Sequence, residues 1–127
     1  MSEMIVETRD LSMRFGGVLA VNNVNFSLRE RELRCLIGPN GAGKSTLFKC
    51  LTGQHLINHS NGRVFIRGQD VTGWRPHEIV QLGVGIKTQV PSVMNGLTVW
   101  ENLWLSARRI HGKNGASPEV DRVVTEL

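Results

Sequence analysis

The residues most plainly able to do chemistry are Gly38-Pro39-Asn40-Gly41-Ala42-Gly43-Lys44-Ser45, which keep the spacing G-x-x-x-x-G-K-[ST] at every constrained position. That chemistry is the holding of phosphate. Glycines let successive backbone N–H groups turn inward toward phosphate oxygens, Lys44 reaches the terminal phosphates, and Ser45 offers a hydroxyl to Mg²⁺. Gln89 is a second candidate: a loop glutamine is usually just solvated, but at the end of a strand facing a phosphate site its amide oxygen can hold Mg²⁺ or the attacking water. Phe15 has two readings, a core anchor beside a turn or an exposed ring that stacks on a base. His55 and His59 lie four apart, but no Cys, carboxylate or third His completes a metal set nearby.

The elements that must position these residues are legible from pattern. An apolar run Leu33-Arg34-Cys35-Leu36-Ile37 reads as a strand, and Thr46 to Leu51 as a helix closed by Gly53. Strand, loop, helix is the order a phosphate loop requires, and the helix N-terminus adds partial positive charge to the anion site. Upstream, Ile5 to Arg14 is strand-like and Gly16-Gly17 supplies a turn. Val24, Phe26 and Leu28 alternate with polar residues, and Arg29-Glu30-Arg31-Glu32 makes a short charged turn. Antiparallel pairing before the loop is expected. Downstream, Ser60-Asn61-Gly62 signals a turn and Arg63 to Arg67 a strand, after which Gly68-Gln69-Asp70 turns the chain. Pro76 to Leu82 reads as a short helix ended by Gly83, and Val84-Gly85-Ile86-Lys87 as a strand that delivers Gln89 into a loop.

Thr98-Val99-Trp100-Glu101 is a capping box that opens a further helix. Its residues Trp100, Leu103, Trp104 and Ala107 form an apolar stripe, either core or partly facing a partner. A glycine-containing linker from His111 to Ala116 leads to Ser117-Pro118, which reads as the start of a last helix with Val120, Val123, Val124 and Leu127 at helical spacing. No stop signal closes that helix, so the sequence is expected to be cut inside an element.

Composition narrows the class. With 40% apolar and 20% charged residues, the 127-residue chain has the make-up of a soluble globular domain, and no apolar run approaches the roughly eighteen residues of a membrane span. Met1-Ser2-Glu3-Met4 lacks a secretory pattern, so a cytosolic chain is expected. Cys35 and Cys50 then read as small buried hydrophobes rather than a disulfide. The net charge of +4 comes from scattered basic residues without interleaved aromatics, which argues for a solvated surface and against nucleic acid as a partner.

With these pieces in place, the chain resembles the first half of an ABC transporter ATPase over nearly all its length. The resemblance rests on the loop, on Met13-Arg14-Phe15-Gly16-Gly17-Val18-Leu19-Ala20-Val21, on Gln89 and on Gly96-Leu97-Thr98-Val99-Trp100-Glu101-Asn102-Leu103. The stretches Met13 to Val21 and Gly96 to Leu103 are similar to the branch serving branched-chain amino acid and urea uptake, and Lys87-Thr88-Gln89-Val90-Pro91-Ser92-Val93 is similar to its urea members. The resemblance implies an α/β P-loop fold, a parallel core with an antiparallel β-subdomain. Residues 1–127 would hold that subdomain, the phosphate loop, the glutamine loop and the start of the helical subdomain. It further implies ATP and Mg²⁺ as cofactors, Phe15 on adenine, Lys44 as phosphate clamp, Ser45 and Gln89 on Mg²⁺ and Thr46 as a further phosphate contact. Gln89 would sense the γ-phosphate, and Val90 to Trp104 would face transmembrane permease subunits. A second ATP-binding subunit and a place on the cytoplasmic face of the membrane follow from the same resemblance. Thr88 stands where many relatives carry Phe, and Arg31 where many carry Gly, so the Arg31 turn is expected to avoid positive φ. No LSGGQ-like signature, Asp-Glu-terminated strand or switch histidine occurs from 90 to 127, so a fragment that binds nucleotide without turnover is the alternative expectation.

Overall fold

A computed structural model describes residues 3–126, which fall into two compact units divided between Ile86 and Lys87. In the first unit, runs such as Arg63-Val64-Phe65-Ile66 send alternate side chains inward, Val64 and Ile66 being buried and Phe65 less so. Its strands are β1 (Met4–Arg9), β2 (Leu11–Phe15), β3 (Val18–Val24), β4 (Ser27–Arg29), β5 (Arg63–Ile66) and β6 (Gln69–Asp70). They form a four-stranded antiparallel sheet in the order β4-β1-β5-β6 and a two-stranded hairpin, β2-β3. The expected antiparallel subdomain is therefore present.

Asp10 splits the first predicted strand in two. Its φ is 49°, and its backbone N–H donates to the Asn25 side chain at 2.9 Å. Next to it, buried Thr8 donates its hydroxyl to the Val24 carbonyl at 2.8 Å and accepts from the Phe26 N–H at 2.9 Å. These side-chain bonds replace ladder bonds, which is why the 24–28 alternation breaks into β3 and β4. Gly62 closes the same corner: a Cβ there would stand 2.6 Å from the Asp10 carbonyl oxygen and 2.7 Å from that of Arg9. Only glycine lets the two backbones cross so closely.

Helix α1 (Lys44–Leu51) buries Leu47 and Cys50, and α2 (Pro76–Gln81) buries Ile79. Both pack into one cluster with Leu11, Val21, Ile57, Val64, Ile66 and Val71. Each such aliphatic side chain contributes roughly 1.5–3 kcal/mol when fully buried, so this cluster fixes where α1, and hence its N-terminus, sits. As predicted, Pro76 opens α2 and Gly83 follows it.

Four further sequence expectations fail. Leu33 to Ile37 form no ladder, and Leu33 and Ile37 are each 92% exposed. Val84 to Lys87 likewise form no strand. A strand exists only through a neighbour's N–H and C=O groups, and among the described residues none lies alongside either segment. Cys35, expected to be buried with its strand, is exposed for the same reason, whereas Cys50 is buried and its thiol is pushed up to about 11 by that burial. The fourth is Arg31, which takes φ 61° in the charged turn rather than avoiding the left-handed region. Its turn is closed by the Glu32 N–H on the Arg29 carbonyl at 3.1 Å and the Arg29 N–H on the Glu32 carboxylate at 2.8 Å.

The second unit is dominated by α3 (Val99–Glu126), a helix broken at Gly112, where φ 69° and ψ −178° lie outside the helical region. The capping box forms as predicted: Glu101 N–H donates to the Thr98 hydroxyl at 3.2 Å, and Thr98 N–H to the Glu101 carboxylate at 2.7 Å. The two arms, 99–111 and 113–126, are joined by indole hydrogen bonds, Trp100 to Asp121 at 2.9 Å and Trp104 to Ser117 at 3.2 Å. Much of the Trp stripe is thus internal packing. Ser117-Pro118 does not start the last helix, because the reversal at Gly112 lets the second arm begin at once and leaves Pro118 inside it. Leu127 lies outside the described residues. Among the described residues no helix is long and apolar enough to cross a membrane.

Candidate functional site: a phosphate-type loop and its neighbours

Helix α1 begins at Lys44, immediately after Gly43, whose φ of 87° is left-handed. No side chain caps this N-terminus and its first turn holds no acidic residue. The first-turn N–H groups are thus left without a protein acceptor at the positive end of the helix. Gly41 also has positive φ, 83°, so the loop makes two turns that residues with a Cβ resist. Gly43 has a second reason to be glycine. A Cβ there would lie 2.1 Å from the Ala20 carbonyl oxygen, which seats strand β3 directly against the loop.

Lys44 turns back over its own loop, donating from Nζ to the carbonyls of Gly38 at 2.6 Å and Pro39 at 2.7 Å. Ala42 N–H bonds the Pro39 carbonyl at 3.2 Å and closes the turn. Ser45 is exposed and Thr46 half-buried on the first turn of α1. Uncapped N–H donors, an ammonium folded over the cradle and a hydroxyl on the first turn are the donor set that a polyphosphate with a hard cation requires, so the residues present fit both groups.

Phe15 ends β2, paired with Val18 across the Gly16-Gly17 turn, and is 44% exposed, which excludes the core-anchor reading. Its ring meets His55 in an edge-on arrangement, with centroids 4.9 Å apart and planes at 64°. No sequence pattern announces that pair, because it joins a hairpin tip to the segment after α1. The contact of Ala20 with Gly43 is equally hidden, although a glycine in a tight loop is the kind of position where a close approach is to be sought. Among the described residues no group of three metal-binding side chains surrounds His55 or His59.

Gln89 and the loop after it belong to the second unit. Thr88, the departure from Phe, folds this loop locally: its hydroxyl donates to the Val90 carbonyl and lies 3.5 Å from the Ser92 hydroxyl. Farther on, Asn102 pins the loop end, accepting from the Met94 N–H at 2.9 Å and donating to the Thr98 carbonyl at 2.9 Å. Val90, Val93 and Met94 remain exposed.

Comparison with known proteins agrees with this geometry. Residues 21–127 match the family described as ABC transporter. The chain belongs to that family. It is 45% identical over 103 residues to the high-affinity branched-chain amino acid transport ATP-binding protein LivG of Salmonella typhimurium, covering 81% of this chain and 40% of that protein. Similarity to the corresponding BraF protein of Pseudomonas aeruginosa is 40% over 109 residues, 86% of this chain and 42% of that one. A crystal structure of an ATP-binding cassette of an ABC transporter in its ADP conformation superposes with a TM-score of 0.72 at 33% identity, covering 84% of this chain and 41% of that chain. The nucleotide-free form of an ATP-binding cassette gives a TM-score of 0.71 at 33% identity, covering 81% of this chain and 40% of that chain. The α/β cassette fold read from the sequence is thus the fold of the structural relatives, and the chain spans about two-fifths of the length of the curated relatives it matches.

Proposed function

We propose that this chain is the nucleotide-receiving part of the ATP-binding subunit of an importer, residues 1–127 being one partial ATP-binding domain. Gly38, Pro39, Asn40, Gly41, Ala42, Gly43, Lys44, Ser45 and Thr46 hold the phosphates of ATP, Phe15 stacks on adenine, and Ser45 with Gln89 holds Mg²⁺. Lys44 and Gln89 are the groups of this chain nearest the chemistry, one binding the transferred phosphate and one orienting water. Bound Mg²⁺ would neutralise charge between the outer phosphates. The observation that carries the reading is the uncapped start of α1 directly after left-handed Gly43, with the Lys44 ammonium folded over the Gly38 and Pro39 carbonyls.

In the whole protein the activity is ATP hydrolysis coupled to uptake, with a second ATP-binding subunit completing the site. Permease subunits dock on Val90 to Trp104, which supports a peripheral place on the cytoplasmic face of the membrane. The exposed Val90, Val93 and Met94 support that docking. The names of the relatives favour branched-chain amino acids over urea as cargo. A xylose import ATP-binding protein of Geobacillus kaustophilus, 37% identical over 113 residues, covers 89% of this chain and 22% of that protein, so likeness in this region alone does not fix the solute. The second reading is nucleotide binding without turnover by the 127-residue chain taken by itself.

Titration with a fluorescent ATP analogue tests the site. Lys44→Ala is expected to abolish measurable binding, because the triphosphate loses its nearest cation. Unchanged affinity would refute the assigned role. Phosphate release by the 127-residue chain at a rate typical of such ATPases would exclude the second reading.

A further inference from the structure

We infer that His55 is a positioning residue for the base of the nucleotide, holding the Phe15 ring at the orientation in which it stacks; this rests on the adenine-platform reading of Phe15 above. An aromatic at a hairpin tip is a poor platform by itself. Phe15 is the last residue of β2 and is followed by Gly16 at φ 53°, so its backbone is held from one side only, through the Val18 pairing. The ring contact that the structure gives it is His55, edge-on at 4.9 Å. Such pairs have a preferred geometry, so a neighbour ring restricts the rotation that an unbraced Phe would keep.

His55 is itself on firm ground. Its N–H donates to the Lys49 carbonyl at 3.0 Å, which ties it to the last turn of α1. Just before it, Thr52 is buried and donates its hydroxyl to the Phe48 carbonyl at 2.8 Å. Gly53 is packed so tightly that a Cβ would stand 2.6 Å from the Trp74 carbonyl oxygen. The first residue of α1 is Lys44, over the phosphate cradle, and the segment leaving its last turn carries His55. One short helix therefore links the base platform to the phosphate loop. The contact of Ala20 with Gly43 makes a second link, from the hairpin side. The nucleotide's two ends are thus registered against each other by the protein before the ligand arrives, the condition under which stacking adds to affinity without a large ordering cost.

Binding of ATP and of inorganic tripolyphosphate to the 127-residue chain, in Mg²⁺, tests the inference, because tripolyphosphate engages the loop and has no base. His55→Ala is expected to weaken ATP roughly twofold to tenfold, the worth of an aromatic pair, and to leave tripolyphosphate unchanged. His55→Phe, which keeps a ring and lacks its nitrogens, is expected to restore ATP affinity. In a Phe15→Ala background His55→Ala is expected to add nothing. The inference is overturned if His55→Ala leaves ATP affinity intact or weakens both ligands equally. It is equally overturned if His55→Phe fails to rescue, or if the losses at Phe15 and His55 add, since these mark a direct His55 contact with the base. Loss of ATP affinity in Phe15→Ala alone refutes only His55; equal affinity of Phe15→Ala and parent refutes the platform reading, and this inference with it.

Discussion

Replacing Gly43 by alanine separates two reasons for glycine in the phosphate loop. At φ 87° a Cβ meets the following carbonyl, which costs about 1–2 kcal/mol. Alanine recovers about 0.4–1 kcal/mol by restricting the unfolded chain. Beyond that, the Cβ would sit 2.1 Å from the Ala20 carbonyl oxygen, where real contacts stay beyond 3.0 Å, so β3 or the loop must move by about an ångström. Overpacking of this kind costs about 1–3 kcal/mol, which brings Gly43→Ala to a loss of about 3 kcal/mol. For a unit of this size that corresponds to a fall in Tm on the order of 12–24 °C. Gly41→Ala is the control. Its φ is 83°, but an added Cβ meets nothing within 4 Å, so only the backbone term remains, about 1 kcal/mol or less. Urea unfolding followed by circular dichroism reads both variants. Equal losses for the two, or a Gly43→Ala chain within about 1 kcal/mol of the parent, would refute the seating of β3 against the loop.

Relief of the left-handed turn by Arg31→Gly is expected to raise stability by about 0.5–1 kcal/mol in the same unfolding assay, and a loss would show the turn to be unstrained. In the second unit, hydrogen bonds from the Thr98 backbone and side chain hold the Glu101 carboxyl below its ordinary value of 4.5. A depressed carboxyl adds stability above that ordinary value and loses it as pH falls through the folded one. Protection of the first-turn amides of α3, corrected for the intrinsic pH dependence of exchange, is therefore expected to fall below about pH 4.5, and Glu101→Gln to remove the step; persistence of the step would assign it elsewhere. Trp104→Phe keeps the ring and drops the indole donor, with an expected cost of about 1 kcal/mol that Ser117→Ala shares rather than doubles. Full additivity in that double-mutant cycle would remove the bond as the link between the two arms.

Local rules were legible wherever a few consecutive residues settle the backbone. Gly43-Lys44 at the head of α1, Pro76 and Gly83 around α2, and Thr98 with Glu101 are of this kind, since capping and turn chemistry act within one turn of chain. The segments Leu33 to Ile37 and Val84 to Lys87 have strand-like composition, yet a strand is a relation between segments, and pattern within one segment does not supply its neighbour. Asp10 and Ser117 misled for a related reason. Asn25 bonds the Asp10 N–H, and the reversal at Gly112 has already begun the arm in which Ser117 lies, so features elsewhere in the chain decide what look like local signals. In the site, residue types named the loop, while the partners that shape it, Ala20 against Gly43 and His55 against Phe15, come from other segments.

The crossing at Gly62 has a consequence for how the phosphate loop opens. Because the backbone at Gly62 touches Asp10 and β1 pairs along β5, the chain between them is a closed excursion that contains β2, β3, the loop and α1. Closing a ring of roughly fifty residues costs about 3–4 kcal/mol in chain entropy beyond a constant. That entropy is not recovered while β1 and β5 stay paired, so fraying at the chain's ends recovers none of it. Deep protection in native-state hydrogen exchange should accordingly be shared by the amides of β1, β5 and α1, the three moving as one cooperative unit. The segment that carries the loop's glycines is thus closed by a clasp far from them in the sequence.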